Sequence, residues 1–98
     1  MGGLTFYLVS YDIKDEKRLR NVHRIMREFG VRLHYSVFRC DLTKQGKMIL
    51  ISKLEEVINH DADRIMIVDL GPSRQYDEMK IEFIGQKPEE NYVNSIIV

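Results

Sequence analysis

The segment Leu4-Thr-Phe-Tyr-Leu-Val-Ser-Tyr-Asp12 constrains this chain more than any other. Successive side chains of a strand point to opposite sides of a sheet, and here aromatic and β-branched residues fall on both sides. A strand apolar on both faces belongs at the centre of a sheet, with helices covering one side and something else covering the other. It also ends on an acid. Asp12 shares a face with Leu8 and Ser10, so its carboxylate is expected at the rim of a packed layer, where a rigid support can present a functional group.

The rest of the chain supplies the cover. Asp15 and Glu16 are acids where a helix start favours them, and Leu19, Val22, Ile25, Met26 and Phe29 follow at helical spacing. Gly30 is a plausible stop, giving a helix over 15–29. Val31–Leu42 is β-rich and long, either one bent strand or two strands folded near Tyr35-Ser36. No Asn-Gly or Gly pair marks a hairpin there, and two strands are preferred only because the fold then closes. Thr43 is a suitable N-cap for a second helix over 44–59, ended by Asn59. Asp63–Leu70 reads as a buried strand closed by Gly71-Pro72-Ser73, and Met79–Gly85 as a further strand. The order β, α, ββ, α, β, β suits a two-layer α+β sandwich with both helices on one sheet face. The other face stays apolar, and a twofold copy of the chain is its simplest cover.

Ninety-eight residues make one domain. A chain this short buries roughly 60–70% of its unfolded surface, which leaves association as a natural route to a larger core. Met1-Gly2-Gly3 is compatible with a cloning remnant. The longest apolar runs, Met48–Ile51 and Ile65–Val68, are far too short for a membrane helix, and no basic segment leads into an apolar one as in a secretory signal. Cys40 is the lone cysteine, which excludes an internal disulfide and suits a reducing, cytoplasmic setting.

The formal net charge of zero conceals a split. Residues 1–50 carry ten Lys and Arg against five Asp and Glu, and residues 51–98 carry five against ten. A basic surface for an anionic partner and an acidic region elsewhere would account for this, as would internal pairing. Lys17, Arg18, Arg20, Arg24 and Arg27 lie on the first helix, with Arg32 just after it. Arg20, Arg24 and Arg27 recur at intervals of four and three, so they share a stripe, and the guanidinium fork suits phosphate. Tyr11, Tyr35 and Phe38 could stack on unpaired bases, although core packing is the commoner role of each. Ser36 could donate to a phosphate or cap a turn, and His34 could give a proton to a leaving oxygen or simply face solvent.

Asp12 is the candidate for metal chemistry. One carboxylate holds Mg²⁺ poorly, because the ion wants several oxygen ligands. Two copies of Asp12 brought together by a symmetric interface could hold Mg²⁺ or Mn²⁺ with waters, one of which could attack a phosphodiester. There is no zinc pattern, glycine-rich phosphate loop or nucleophile elbow.

Ser10-Tyr-Asp-Ile13 at the end of the first strand and Tyr35-Ser-Val-Phe38 after the first helix resemble the two signatures of the small CRISPR-associated endonuclease family, over about residues 4–85. The resemblance implies a ferredoxin-like βαββαβ fold with an extra C-terminal strand, dimerising through sheet faces, with 86–98 contacting the partner subunit. It implies metal-dependent cleavage of RNA or double-stranded DNA, or service as a nucleic-acid-binding scaffold for the CRISPR integrase in spacer acquisition. Asp12 matches the family's metal-binding acid. Tyr11, Arg32, Ser36 and Phe38 match positions around that site, and Arg18 or Arg20 matches helix arginines. His34 stands where many relatives have glutamine, and Arg39 where an acid is frequent, which is expected to make the local field more basic. A related toxin ribonuclease family shares the fold and much of the pattern.

Overall fold

The computed structural model describes residues 3–76 and 80–88. The elements run β1 (Thr5–Asp12), α1 (Glu16–Phe29), β2 (Val31–His34), β3 (Val37–Leu42), α2 (Lys44–Val57) and β4 (Arg64–Pro72), followed by a 3-10 turn over Ser73–Gln75. β1 pairs antiparallel with both β3 and β4, and the sheet order is β2-β3-β1-β4. This is the α+β, βαββαβ arrangement of ferredoxin-like folds, and the strand apolar on both faces is a central one.

Alternation along β1 divides the sheet cleanly. Tyr7, Val9 and Tyr11 enter a core shared with Val22 and Met26 of α1, Leu50 and Leu54 of α2, and Phe38 and Cys40 of β3. Burying each large side chain contributes about 1.5–3 kcal/mol. Leu8, Ser10 and Asp12 face the other way, towards the layer that neither α1 nor α2 covers. Across the ladders they meet Val68, Met66 and Arg64 of β4, and Met66 is 53% exposed.

Residues 31–42 form two strands. The turn at Tyr35-Ser36 lacks favourable turn residues and is held from outside instead: the Tyr11 amide donates to the Ser36 carbonyl at 3.1 Å. The β2–β3 register also shifts between Arg32 and His34. Gly30 ends α1 in an extended conformation, its amide donating to the Met26 carbonyl at 2.9 Å. Its small size matters more than its flexibility, since a Cβ there would lie 2.3 Å from the Arg39 carbonyl oxygen and 2.6 Å from Cys40 Sγ. Thr43 caps α2 as expected, its hydroxyl accepting from the Gly46 amide at 3.0 Å. That helix ends at Val57, two residues early, because Asn59 Oδ1 instead accepts the Asp61 and Ala62 amides and builds a turn.

Two expectations need correction. Residues 80–85 are not a strand. An extended segment needs a ladder partner, and 80–88 instead passes beside Arg32–Tyr35 without entering the four-stranded sheet. Met79 and the tail from residue 89 onward lie outside the described residues. Arg39 does not add charge to an open surface either. It is 1% exposed, with Nε 3.0 Å from Asp41 Oδ2 and its guanidinium 4.1 Å from the Phe6 ring centre. Nη2 donates to the Tyr76 carbonyl at 3.1 Å, which pins the chain after β4 onto the sheet. Among the described residues, no helix is long and apolar enough to cross a membrane.

Candidate nucleic-acid interface

Asp12 closes β1 opposite Arg64, with its side chain 70% exposed and Lys14 Nζ 3.3 Å from Oδ2. Among the described residues no three His, Cys, Asp or Glu side chains gather to hold a metal ion. A single carboxylate beside an ammonium does not satisfy the oxygen-rich shell of Mg²⁺, so the described donors of one chain do not fit the ion by themselves.

Immediately after Asp12 the chain is tied down by a residue sixty-odd positions into the sequence. The Asp63 side chain has 0% exposure and accepts four hydrogen bonds. Arg18 Nε and Nη2 donate to it at 2.8 and 3.2 Å, and the Lys14 and Asn59 amides each at 2.9 Å. The Arg18 hydrogen bond, aided by the two amides, holds the Asp63 carboxyl well below the usual carboxylate range. Arg18 was a candidate for phosphate; its fork is committed to Asp63, so it positions the loop between β1 and α1.

The remaining helix arginines face a groove of about 550 Å³ between α1, the end of β1 and the β2–β3 turn. Arg20, Arg24 and Arg27 line it from α1, Arg32 from β2, and Tyr35 and Ser36 from the turn. Arg32 reaches it because it lies opposite Phe38 and shares the helix-facing side of the sheet. Leu19, His23 and Tyr11 complete the wall, and among the described residues no carboxylate lines it. The Tyr11 hydroxyl is 3.1 Å from His23 Nδ1, and burial pushes the hydroxyl's pKa upward, so it stays neutral. Phe38 is 0% exposed, stacked at 6.2 Å on Tyr11 and edge-on to His23 at 5.6 Å. It therefore supports those two rings from below and cannot itself meet a base, contrary to its expected place among the binding residues.

The structure thus gathers Tyr11, Arg20, Arg24, Arg32 and Ser36 in one groove and leaves Asp12 out of it. Tyr11 and Asp12 are neighbours on a strand, so their side chains emerge on opposite faces of the sheet. His34 also lies off the groove, beyond the register shift, beside Glu82 and Phe83. His23 and Asp63 were not singled out from the sequence. For His23 the signal existed, since it stands three residues after Arg20 and four before Arg27 on the same stripe. For Asp63 the decisive signal was missing, because Arg18 and the Lys14 amide are 45 and 49 residues away and its one local partner, the Asn59 amide, carries no charge.

Residues 5–79 match the family model for the CRISPR associated protein Cas2. The chain belongs to the Cas2 family. It is 36% identical over 80 residues to a CRISPR-associated endoribonuclease Cas2 of Geobacter sulfurreducens, spanning 82% of this chain and 83% of that one. A second such protein, from Rhodospirillum rubrum, is also 36% identical over 80 residues, covering 82% of this chain and 78% of its own. In structure, a Cas2 from Streptococcus pyogenes superposes with a TM-score of 0.70 at 29% identity, over 82% of this chain and 99% of that one. A hypothetical protein from Thermus thermophilus shares the fold with a TM-score of 0.72 at 24% identity, over 89% and 100%. This Cas2 chain thus departs from a simple one-site picture, with its strand-end acid and its arginine groove on opposite faces.

Proposed function

We propose that this Cas2 protein binds nucleic acid through the arginine groove and, as a homodimer, cleaves phosphodiester bonds at a pair of Asp12 carboxylates. The observation that carries the binding half is the convergence of Arg20, Arg24 and Arg32, from two elements, on a groove that no carboxylate of the described residues lines. Guanidinium groups so placed suit phosphate, and Ser36 at the same groove adds a hydroxyl donor. The cleavage half draws support from relatives named endoribonucleases and from the placement of Asp12 on the uncovered face of the sheet.

That uncovered face, with Leu8, Val68 and the exposed Met66 on it, is the surface we assign to the dimer. An isologous contact there would bring two Asp12 residues towards one axis. Two carboxylates would form the donor set that one chain lacks, and Mg²⁺ or Mn²⁺ held by them would supply an activated water and charge neutralisation at the scissile phosphate. The proposed setting is spacer acquisition, with the acidic half of the chain, residues 51–98, available to dock the CRISPR integrase.

One observation favours a second reading. Among the described residues the close side-chain partner of Asp12 is Lys14, at 3.3 Å, which suits a surface ion pair as well as a metal ligand. On that reading the protein is a non-catalytic scaffold that binds duplex DNA for the integrase. Cleavage of labelled RNA and duplex DNA with Mg²⁺ or Mn²⁺, by wild type and Asp12→Ala, separates the two. Activity lost in the variant supports the nuclease; binding without cleavage by either protein overturns it in favour of the scaffold.

A further inference from the structure

The arginine groove has a feature that backbone binding does not call for. A surface that only tracks phosphates needs cations, and a shallow basic stripe would serve. Here the arginines stand around an apolar and aromatic floor made by Leu19, the His23 ring and Tyr11, within a volume of about 550 Å³. That size lies inside the roughly 300–1,000 Å³ typical of small-molecule sites, whereas a duplex is too wide to descend to such a floor. We propose that the groove is a subsite for one unpaired nucleotide, its base against the Leu19 and His23 floor beside Tyr35 and its phosphate on Arg20, Arg24 and Arg32. The inference rests on the nucleic-acid-binding reading above and narrows it to a substrate with a frayed, tailed or single-stranded position.

Three observations converge on a nucleotide rather than on a bare anion or an apolar ligand. An anion alone gains nothing from an aromatic floor, and an apolar ligand gains nothing from the four guanidinium groups that line the groove; a nucleotide uses both parts. Tyr35 is 80% exposed, yet it stands on a turn anchored by the 3.1 Å bond from the Tyr11 amide to the Ser36 carbonyl. An aromatic ring held at the mouth on a fixed backbone is a stacking surface that loses little freedom on binding. The floor also carries a polar pair, the neutral Tyr11 hydroxyl and the His23 imidazole, whose Nδ1 lies 3.1 Å from it. It gives a base edge or a sugar hydroxyl a hydrogen-bonding group within an otherwise mainly apolar floor.

The rigid support beneath matters as much as the lining. Phe38, fully buried, packs on both Tyr11 and His23 at 6.2 and 5.6 Å between ring centres. The floor is therefore preformed, so a base entering it displaces solvent without rearranging the core.

The test compares three fluorescent DNA probes by anisotropy: a blunt duplex, the same duplex with one unpaired nucleotide at each 3′ end, and that tailed duplex with the unpaired position abasic. The abasic probe keeps the extra phosphate and removes only the base. Stacking on an aromatic side chain is worth enough that the tailed probe should bind about tenfold more tightly than either other probe. Tyr35→Ala, whose exposed ring is not part of the core, should bring the tailed probe down to the blunt value, with an unchanged melting curve establishing that the variant is folded. Equal affinity for all three probes, or equal affinity for tailed and abasic probes, overturns the subsite while leaving nucleic-acid binding standing. No binding to any probe overturns the nucleic-acid reading itself. Leu19→Glu gives a second check from the floor: it should weaken the tailed probe more than the blunt one, and equal weakening counts against the subsite.

Discussion

Asp63 and Arg18, 45 residues apart, meet through a two-point contact in which Nε and Nη2 donate to the two carboxylate oxygens at 2.8 and 3.2 Å. The contact locks the loop after Asp12 to the start of α1 and to the turn before β4. Because the folded state holds the Asp63 carboxyl below its unfolded value of about 3.9, this stability is present above about pH 4 and is lost as pH falls towards the lower folded value. Asp63→Asn should lower Tm by several degrees at pH 7 and flatten the acid side of the Tm-versus-pH curve. An acid limb as steep as that of wild type would show that another carboxyl governs it.

The same contact separates Arg18 from the groove arginines. Arg20→Ala and Arg24→Ala should each reduce the slope of log Kd against log salt by about one for duplex DNA, with little change in Tm. Arg18→Ala should do the reverse, lowering Tm and leaving the salt slope nearly unchanged. Equal slopes in all three variants would place the phosphate contacts somewhere other than the groove.

Gly30 is required by proximity. A Cβ would stand 2.3 Å from a backbone oxygen of β3, where neither partner is the free end of a side chain. Gly30→Ala should destabilise by about 2 kcal/mol or more through forced separation of α1 and β3. Denaturant titration reads this as a lower midpoint with an unchanged slope.

Cys40 should be chemically silent. It is 0% exposed, and burial, with a smaller contribution from Asp41, pushes its thiol up to about 12. Thiolate is the reactive form, so iodoacetamide at pH 8 should leave the native protein unmodified and label it in denaturant. Rapid labelling without denaturant would mean that β3 opens readily.

Much of this architecture was legible in the chain itself. The double-faced pattern of Leu4–Asp12 placed a central strand, the spacing of Leu19 to Phe29 placed α1, and Thr43 marked the start of α2. These readings work because strand and helix periods are local properties, and a period names the face that must be buried. The same logic put Arg20 and Arg24 on one stripe. The fold of Val31–Leu42 was less clear, since its turn is held by the Tyr11 amide and not by turn residues of its own.

What the sequence determined by itself, then, was the order of elements and the face each one buries. Only the tertiary structure decided which charges meet. Arg18, Arg24 and Arg39 look alike in sequence, yet Arg18 is committed to Asp63, Arg39 is buried between Asp41 and Phe6, and Arg24 reaches the groove. The physical reason is that a charge is satisfied by whatever the closed chain brings within about 3 Å, and residues 45 positions apart carry no local mark of that meeting. The pleat made the last decision: it sent Tyr11 into the groove and Asp12 to the opposite face.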